Sequence, residues 1–137
     1  MPSLQSLPTW VLSSAATRSH QLLQRRLGQA GVTGYEYRVM AALVEAPELS
    51  QSQLGVAAAL DPGDVTHTVR ALAERRLVKR TRDPRHGRRM LVSLTPSGAD
   101  SAASLARVLA EVQEDVFGDL TVDERLHLLA MLDRVGR

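Results

Sequence analysis

The densest chemistry in the chain is the run R-T-R-D-P-R-H-G-R-R, which places Arg80, Arg82, Arg85, Arg88 and Arg89 within ten residues. Guanidinium groups are always charged, bond phosphate bidentately, and suit a narrow groove where negative potential concentrates. Asp83 lies among them and is expected to pair with one arginine and shape the loop. Just upstream, D-P-G-D-V-T-H-T-V-R-A-L has apolar Val65, Val69 and Leu72 at helical spacing. A helix there turns Thr66, His67 and Arg70 to the opposite face. Arg can bond guanine bidentately, and Thr can bond a base edge or touch a thymine methyl. Pro62, Gly63 and Asp64 stand at the start of this helix, where free amides favour a phosphate. Asp64 itself repels phosphate, so it is read as a cap or as an acceptor for a cytosine amino group.

The rest of the composition narrows the chemistry further. Residues 61–90 hold eight Arg and one Lys against four acids, a net of +5, although the whole chain of 137 residues carries only +2. Residues 91–137 hold four Arg against eight acids, a net of −4. A positive field confined to one short segment is the footprint of a nucleic-acid contact surface. There is no cysteine, which excludes disulfides, thiolate metal sites and a thiol nucleophile. His20, His67, His86 and His127 never pair at the spacing of a helical metal site. No Gly-rich phosphate loop, Gly-x-Ser-x-Gly or H-E-x-x-H is present, so no enzyme, cofactor or metal is expected. No apolar run approaches the roughly 20 residues of a membrane span, and no signal peptide is evident, so a cytoplasmic location is expected.

The elements that must position these groups are marked by helix caps. Thr33–Glu36, Ser50–Gln53 and Thr121–Glu124 fit the capping box, Asp61–Asp64 is a variant with Pro62 at the first helical position, and Thr95–Pro96 is a further start. They predict a first helix from Thr9 to Leu27 stopping at Gly28, with Trp10, Ala15, Leu22, Leu23 and Leu27 on its apolar face. A second helix follows Thr33 and ends near Pro47. A short third follows Ser50, with Leu54 and Ala57 buried, and a fourth follows Asp61. Leu77–Arg80 and Met90–Leu94 read as two strands around a turn at Arg82–Arg88. A long helix over Pro96–Phe117 and a last one over Val122–Val135 complete the chain. Aromatics are only 3%, so the core is built mainly from Leu, Val and Ala. The expected fold is mainly α with a small β-hairpin wing: a winged helix-turn-helix plus N- and C-terminal helices.

The stretch L-V-K-R-T-R-D-P-R-H-G-R-R-M-L-V-S-L-T-P-S-G resembles the signature of the MarR family, in which a wing bears Asp-x-Arg and the next strand leads to Leu-Thr-x-x-Gly. Here these are Asp83, Arg85, Leu94, Thr95 and Gly98. L-D-P-G-D-V-T-H-T-V-R-A-L-A-E-R-R-L-V is similar to the family's recognition helix, and L-T-V-D-E-R-L-H-L-L-A-M-L to its last helix. The resemblance runs from about Thr9 to Val135. It implies that Ser50, Gln51 and Ser52 contact phosphates, that Thr66, His67 and Arg70 read bases, and that Arg85 enters the minor groove with Asp83 holding the wing. Two departures stand out: Arg76 occupies a position usually Gly, and Leu54-Gly55 replaces Leu-Ala.

The same resemblance implies one domain over residues 1–137, with dimerisation helices at 9–30 and 96–137 and a winged helix-turn-helix lobe at 33–95. Independently of it, Val11, Leu12, Leu22, Leu105, Val108, Leu109, Val112, Val116, Leu128, Leu129 and Leu132 offer more apolar surface than a small winged helix can cover. A two-fold homodimer would bury it and present two recognition helices to a pseudopalindromic double-stranded DNA operator. Members of the family often respond to small aromatic ligands, for which Trp10, His20, Tyr35, Tyr37 and Arg38 are the candidates here. The expected function is a sequence-specific dimeric DNA-binding transcriptional regulator, a repressor relieved by a small-molecule ligand. The alternatives are an effector-independent architectural DNA-binding protein and a winged-helix protein-interaction module.

Overall fold

The computed structural model describes residues 1–137. A single 3-10 turn at Leu4–Ser6 precedes α1 (Pro8–Gln29), α2 (Gly34–Glu45), β1 (Leu49–Ser50), α3 (Gln51–Ala58), α4 (Pro62–Glu74), β2 (Val78–Asp83), β3 (His86–Leu94), α5 (Pro96–Phe117) and α6 (Val122–Leu132). The mainly helical order with a β-hairpin wing is the one expected.

The caps form as the sequence indicates. Thr33, Ser50 and Thr121 each accept from the backbone N–H three residues on, and Glu36, Gln53 and Glu124 reach back to the cap N–H. Asp61 makes only half of such a box: its Oδ1 accepts from Asp64 N–H at 2.9 Å, with no reciprocal bond from Asp64 to the Asp61 amide. Thr95 Oγ1 accepts from Gly98 N–H at 3.0 Å and starts α5.

The end of α1 is a correction. The helix runs through Gly28 and stops at Ala30, with Gly31 at φ 74° and Val32 N–H donating to Leu27 O at 3.0 Å. The left-handed residue that closes a Schellman turn is therefore Gly31. In α3 the buried alanine is Ala58, while Ala57 faces solvent. In α6 the regular helix ends at Leu132, short of Val135.

The sheet has three antiparallel strands in the order β1-β3-β2. The two-residue β1 was not expected; Leu49 and Ser50 pair with Val92 and Leu91. The hairpin strands are also longer than the sequence suggests. Asp83 pairs with His86 across the two residues Pro84 and Arg85, and an irregularity beyond Arg82 takes up the rest of the expected turn.

The core is formed by the middle of the chain. Val39, Met40 and Leu43 of α2, Leu54 of α3, Val65, Val69 and Leu72 of α4 and Val92 of β3 are all essentially inaccessible. Outside this lobe only Leu27, Leu105 and Val112 are buried hydrophobics. Arg26 pairs with Glu111, and with Asp115 at 3.5 Å, tying α1 to α5. Trp10 of α1 and Leu126 and Leu129 of α6 are 45%, 61% and 64% exposed, so the outer helices carry an apolar surface that nothing in one copy of the chain covers.

Candidate nucleic-acid interface

The α4 helix divides its residues sharply. Val65, Thr68, Val69 and Leu72 are buried, while Thr66, His67 and Arg70 are exposed. Thr66 Oγ1 donates to Pro62 O at 3.0 Å, so its hydroxyl proton is taken and its methyl and lone pairs face out. His67 and Arg70 have no hydrogen-bond or ion-pair partner on the protein. Pro62 and Gly63 sit exposed at the first turn, beside Asp64. Partial desolvation, then the neighbouring Asp61 carboxylate, push the Asp64 carboxyl above its ordinary range, while His67 and Arg38 pull it down. Asp61 and Asp64 together set a patch of negative potential at a helix start that otherwise favours anions.

The α3 start lies beside the wing. Ser50 is buried, with its hydroxyl accepting from Gln53 N–H at 3.1 Å, so of the three α3 candidates it is the least accessible. Gln51 and Ser52 border a polar cleft of about 490 Å³ with Arg88 and Arg89.

The wing is held by its acid. Asp83 Oδ1 accepts from Arg85 N–H at 2.9 Å, and Asp83 Oδ2 lies 3.9 Å from Arg89 Nε. The expected pairing of Asp83 with a wing arginine is thus met by Arg89. Arg82 Nη1 donates to Gly87 O at 3.1 Å across the hairpin. Arg85 and Arg88 project from the tip with no acidic partner. Of the nine cations in residues 61–90 only Arg75 and Arg89 have a carboxylate within 4 Å, so most of the positive charge is uncompensated. This surface combines a presented helix face with exposed, unpaired guanidinium groups, an arrangement suited to a polyanion.

Gly98 fixes the wing to α5. A Cβ there would lie 1.9 Å from the Leu77 carbonyl oxygen, and Thr95 N–H donates to that same oxygen at 3.0 Å. Leu-Thr-x-x-Gly is therefore a joint: the threonine caps the helix, and the glycine lets the base of the wing pass. Gly55 works similarly between α3 and α4, where an added Cβ would meet Leu60 O at 3.1 Å. At the other departure, Arg76 adopts φ 60°, the left-handed conformation glycine favours, and Thr95 Oγ1 donates to its carbonyl at 2.7 Å.

Of the five ligand candidates, His20, Tyr35, Tyr37 and Arg38 border one cleft of about 610 Å³ between α1 and the start of α2. Trp10 is not part of it; ten helical residues separate it from His20, roughly 15 Å along the axis. Arg38 also has a structural role: its Nε donates to Ala58 O at 2.8 Å, and its Nη2 donates to Ala59 O. A second, largely apolar cleft of about 560 Å³ lies between α2 and α5, bordered by Met40, Val44, Leu105 and Leu109. Glu36 was expected only as the partner of the Thr33 cap; its pairing with Arg75 is a support that the sequence does not signal. Glu36 Oε2 accepts from Arg75 Nη1 at 3.0 Å, linking the end of α4 to the start of α2.

The MarR family model matches residues 30–89, the span from the end of α1 into β3. The chain is 31% identical over 107 residues to a Thauera aromatica protein assigned to transcriptional regulation of the hcr operon; the match takes in 78% of this chain and 64% of that protein, so the chain spans less than two thirds of that relative's length. It is 27% identical over 125 residues to the HTH-type transcriptional repressor NicR of Pseudomonas putida, covering 91% of the chain and 79% of NicR. Among solved structures, a Pseudomonas aeruginosa protein assigned as a transcriptional regulator superposes with a TM-score of 0.84 at 28% identity, over 97% of this chain and 99% of that one. Two structures share the fold at lower identity. Bordetella bronchiseptica BpsR, whose DNA binding is regulated by 6-hydroxynicotinic acid, gives a TM-score of 0.81 at 24% identity, over 93% of this chain and 96% of BpsR. A point mutant of Escherichia coli MarR complexed with operator DNA gives 0.81 at 22%, over 93% and 91%. The wing motif, the joint at Gly98, the matched segment and these relatives agree in making the chain similar to the winged-helix regulators of the MarR family.

Proposed function

We propose that the protein is a dimeric, sequence-specific DNA-binding transcriptional regulator, a repressor whose hold on its operator is relieved by a small aromatic ligand. The observation that carries this reading is the exposed Thr66–His67–Arg70 face of α4 beside a wing whose Arg85 and Arg88 lack any acidic partner. In this reading α4 enters the major groove, Gln51 and Ser52 meet phosphate, and the wing reaches the minor groove. Residues 33–95 act as the DNA-binding lobe.

Residues 9–30 and 96–137 act as the dimerisation region. The reason is the apolar surface of α1 and α6, which a two-fold partner would remove from water. The ligand-response reading is supported by the cleft at His20, Tyr35 and Tyr37 and by the analogy of BpsR with 6-hydroxynicotinic acid. No helix is long and apolar enough to cross a membrane, and the cytoplasm is the proposed place of action. Regulators rather than enzymes are what the related proteins are named for.

Fluorescence anisotropy with DNA from immediately upstream of the gene, and with a scrambled duplex, at two salt concentrations, tests the reading. Tight binding to the first duplex alone, weakened by salt, is expected because phosphate neutralisation releases counterions. Equal weak binding to both would favour an architectural role. No binding at low salt would favour a protein-interaction module.

A further inference from the structure

The helix starts of α3 and α4 are built differently. The first turn of α3 holds no acid, and its Gln51 and Ser52 border the polar cleft with Arg88 and Arg89. The first turn of α4 holds Asp64, three residues after the Asp61 cap. At three other helix starts the residue in that place turns back on its cap: Glu36, Gln53 and Glu124 accept from the N–H of Thr33, Ser50 and Thr121. Asp64 does not. Its side chain is one carbon shorter than that of glutamate, and only its backbone N–H is engaged, donating to Asp61 Oδ1 at 2.9 Å. No N–H or hydroxyl of the protein donates to the Asp64 carboxylate. This carboxylate is half-buried, one helical turn before the exposed His67, with Asp61, His67 and Arg38 within electrostatic reach. The side chain is thus no part of the cap, and it leaves an acceptor without a donor on the helix that the lobe presents.

We propose that Asp64 is a specificity-determining residue, which accepts a hydrogen bond from a cytosine amino group in the major groove and turns phosphate away from the start of α4. This inference rests on the DNA-binding reading given above. An ionised carboxylate only accepts, so on entering a groove it must meet a donor or lose its hydration without replacement. Guanine shows two acceptors on its major-groove edge, and thymine an acceptor and a methyl group. The amino donor of adenine stands beside its N7 acceptor, which repels the second carboxylate oxygen. Cytosine is the one base that offers a donor with no acceptor of its own beside it. Phosphate offers only acceptors and negative charge, so it is rejected at the α4 start and received at the α3 start. The pair of helices then seats in one register, α3 on the backbone and α4 over base edges. Where no cytosine stands at the right step, the carboxylate is desolvated unpaired and the complex is weakened. Asp64 acts chiefly by penalising wrong sequences.

The test is selection from a pool of duplexes with a random centre of about 20 base pairs, two half-sites one helical turn apart. It is run in parallel on the full chain, on Asp64→Ala and on Asp64→Asn, and followed by anisotropy on the selected sequence and its single-pair variants. The Asp61 cap uses the Asp64 amide and not its side chain, so both variants are expected to fold as the unmodified protein does. The unmodified protein is expected to select cytosine at one position of each half-site and to bind about tenfold more weakly when that base is changed. In Asp64→Ala this preference disappears while the others stay, and binding to a scrambled duplex rises several-fold because a repelling charge is gone. In Asp64→Asn the preferred base becomes adenine, since a side-chain amide bonds adenine N6 and N7 together. A cytosine preference that is absent from the unmodified protein, or that survives in Asp64→Ala, overturns the proposal. So does a uniform loss of affinity across all single-pair variants, which would make Asp64 a structural support. An unmodified protein that selects nothing at low salt defeats the DNA-binding reading itself and the proposal with it, an outcome distinct from any difference between the variants.

Discussion

Arg75 at the end of α4 donates through Nη1 to Glu36 Oε2 at 3.0 Å, while the other oxygen of the same carboxylate accepts from Thr33 N–H at 3.0 Å. One buried carboxylate therefore starts α2 and anchors the far end of the recognition helix. Glu36→Gln preserves the cap and removes the charge. It is expected to cost about 1 kcal/mol, a modest figure because the Arg75 side chain is 44% exposed and partly screened by solvent. Glu36→Ala opens the cap as well and should cost about 2 kcal/mol. Urea unfolding of the two variants checks the order; equal stabilities would mean that Glu36 acts through only one of its bonds.

Gly98→Ala should be among the most damaging single changes in the chain. The added carbon would sit 1.9 Å from the Leu77 carbonyl oxygen and 2.8 Å from its carbon, both backbone atoms that no rotamer change can move. Overpacking against backbone is expected to cost at least about 2 kcal/mol. The only relief is to move the base of β2 away from α5, so operator affinity should fall more than stability alone explains. Anisotropy under conditions where the variant is fully folded separates the two effects, and an intact wing would leave affinity unchanged.

What could be read in advance was what is local in sequence. A capping box spans four residues, so Thr33–Glu36, Ser50–Gln53 and Thr121–Glu124 announced their helices correctly, and the helical spacing of Val65, Val69 and Leu72 fixed which side of α4 faces out. The stop of α1 was misplaced because Gly28 and Gly31 are both glycines near the helix end, and only the backbone shows which is left-handed. Strand β1 has two residues and exists only through its pairing with β3, so it left no periodicity to detect. Arg38 was expected only as a ligand candidate, beside Trp10, His20, Tyr35 and Tyr37. Its bonds to Ala58 and Ala59, twenty and twenty-one residues away, and the Glu36–Arg75 pair, thirty-nine apart, have no sequence signal.

Two left-handed residues without glycine offer a gain. Ala59 at φ 54° and Arg76 at φ 60° each close a helix in a conformation that costs an L-residue roughly 1–2 kcal/mol. Ala59→Gly and Arg76→Gly are each expected to stabilise by about 1 kcal/mol, less than the full strain because glycine gains freedom in the unfolded chain. Thermal melts of the single and double variants measure this, and a lower melting temperature in either would mean that the side chain is stabilising enough to outweigh its backbone. Arg76→Gly also removes a cation near the wing, so its operator binding should weaken in salt-dependent fashion.

Arg85 and Asp83 should behave differently although they share the wing. The Arg85 side chain is exposed and bonded to nothing, so Arg85→Ala is expected to leave unfolding unchanged, reduce operator affinity about tenfold and lower the salt slope by about one. Asp83 binds the Arg85 amide and faces Arg89, so Asp83→Ala removes a negative charge from a basic loop while loosening its shape. Affinity for scrambled DNA should then rise slightly as affinity for the operator falls. A parallel rise for both duplexes would show that Asp83 acts as charge alone.

The corner between α5 and α6 carries the clearest pH response. Arg125 donates through Nη1 and Nη2 to the Glu114 carboxylate at 2.6 and 3.1 Å, and through Nε to Phe117 O at 3.1 Å. Hydrogen bonding and then charge attraction from Arg125 hold the Glu114 carboxyl below its usual 4.5. The Thr121 cap, through its backbone and then its side chain, does the same for Glu124. Both groups favour the folded state when ionised, so their contribution is full above about pH 4.5 and is lost as pH falls through the lowered values. Exchange at α6 amides, corrected for the intrinsic rate, should therefore accelerate as pH falls below about 4.5 relative to the α2 and α4 amides. Glu114→Gln removes one of the two titrations and should flatten that response without abolishing it, because Glu124 retains its own. An undiminished response in this variant would assign the acid sensitivity of α6 to its N-terminal cap alone.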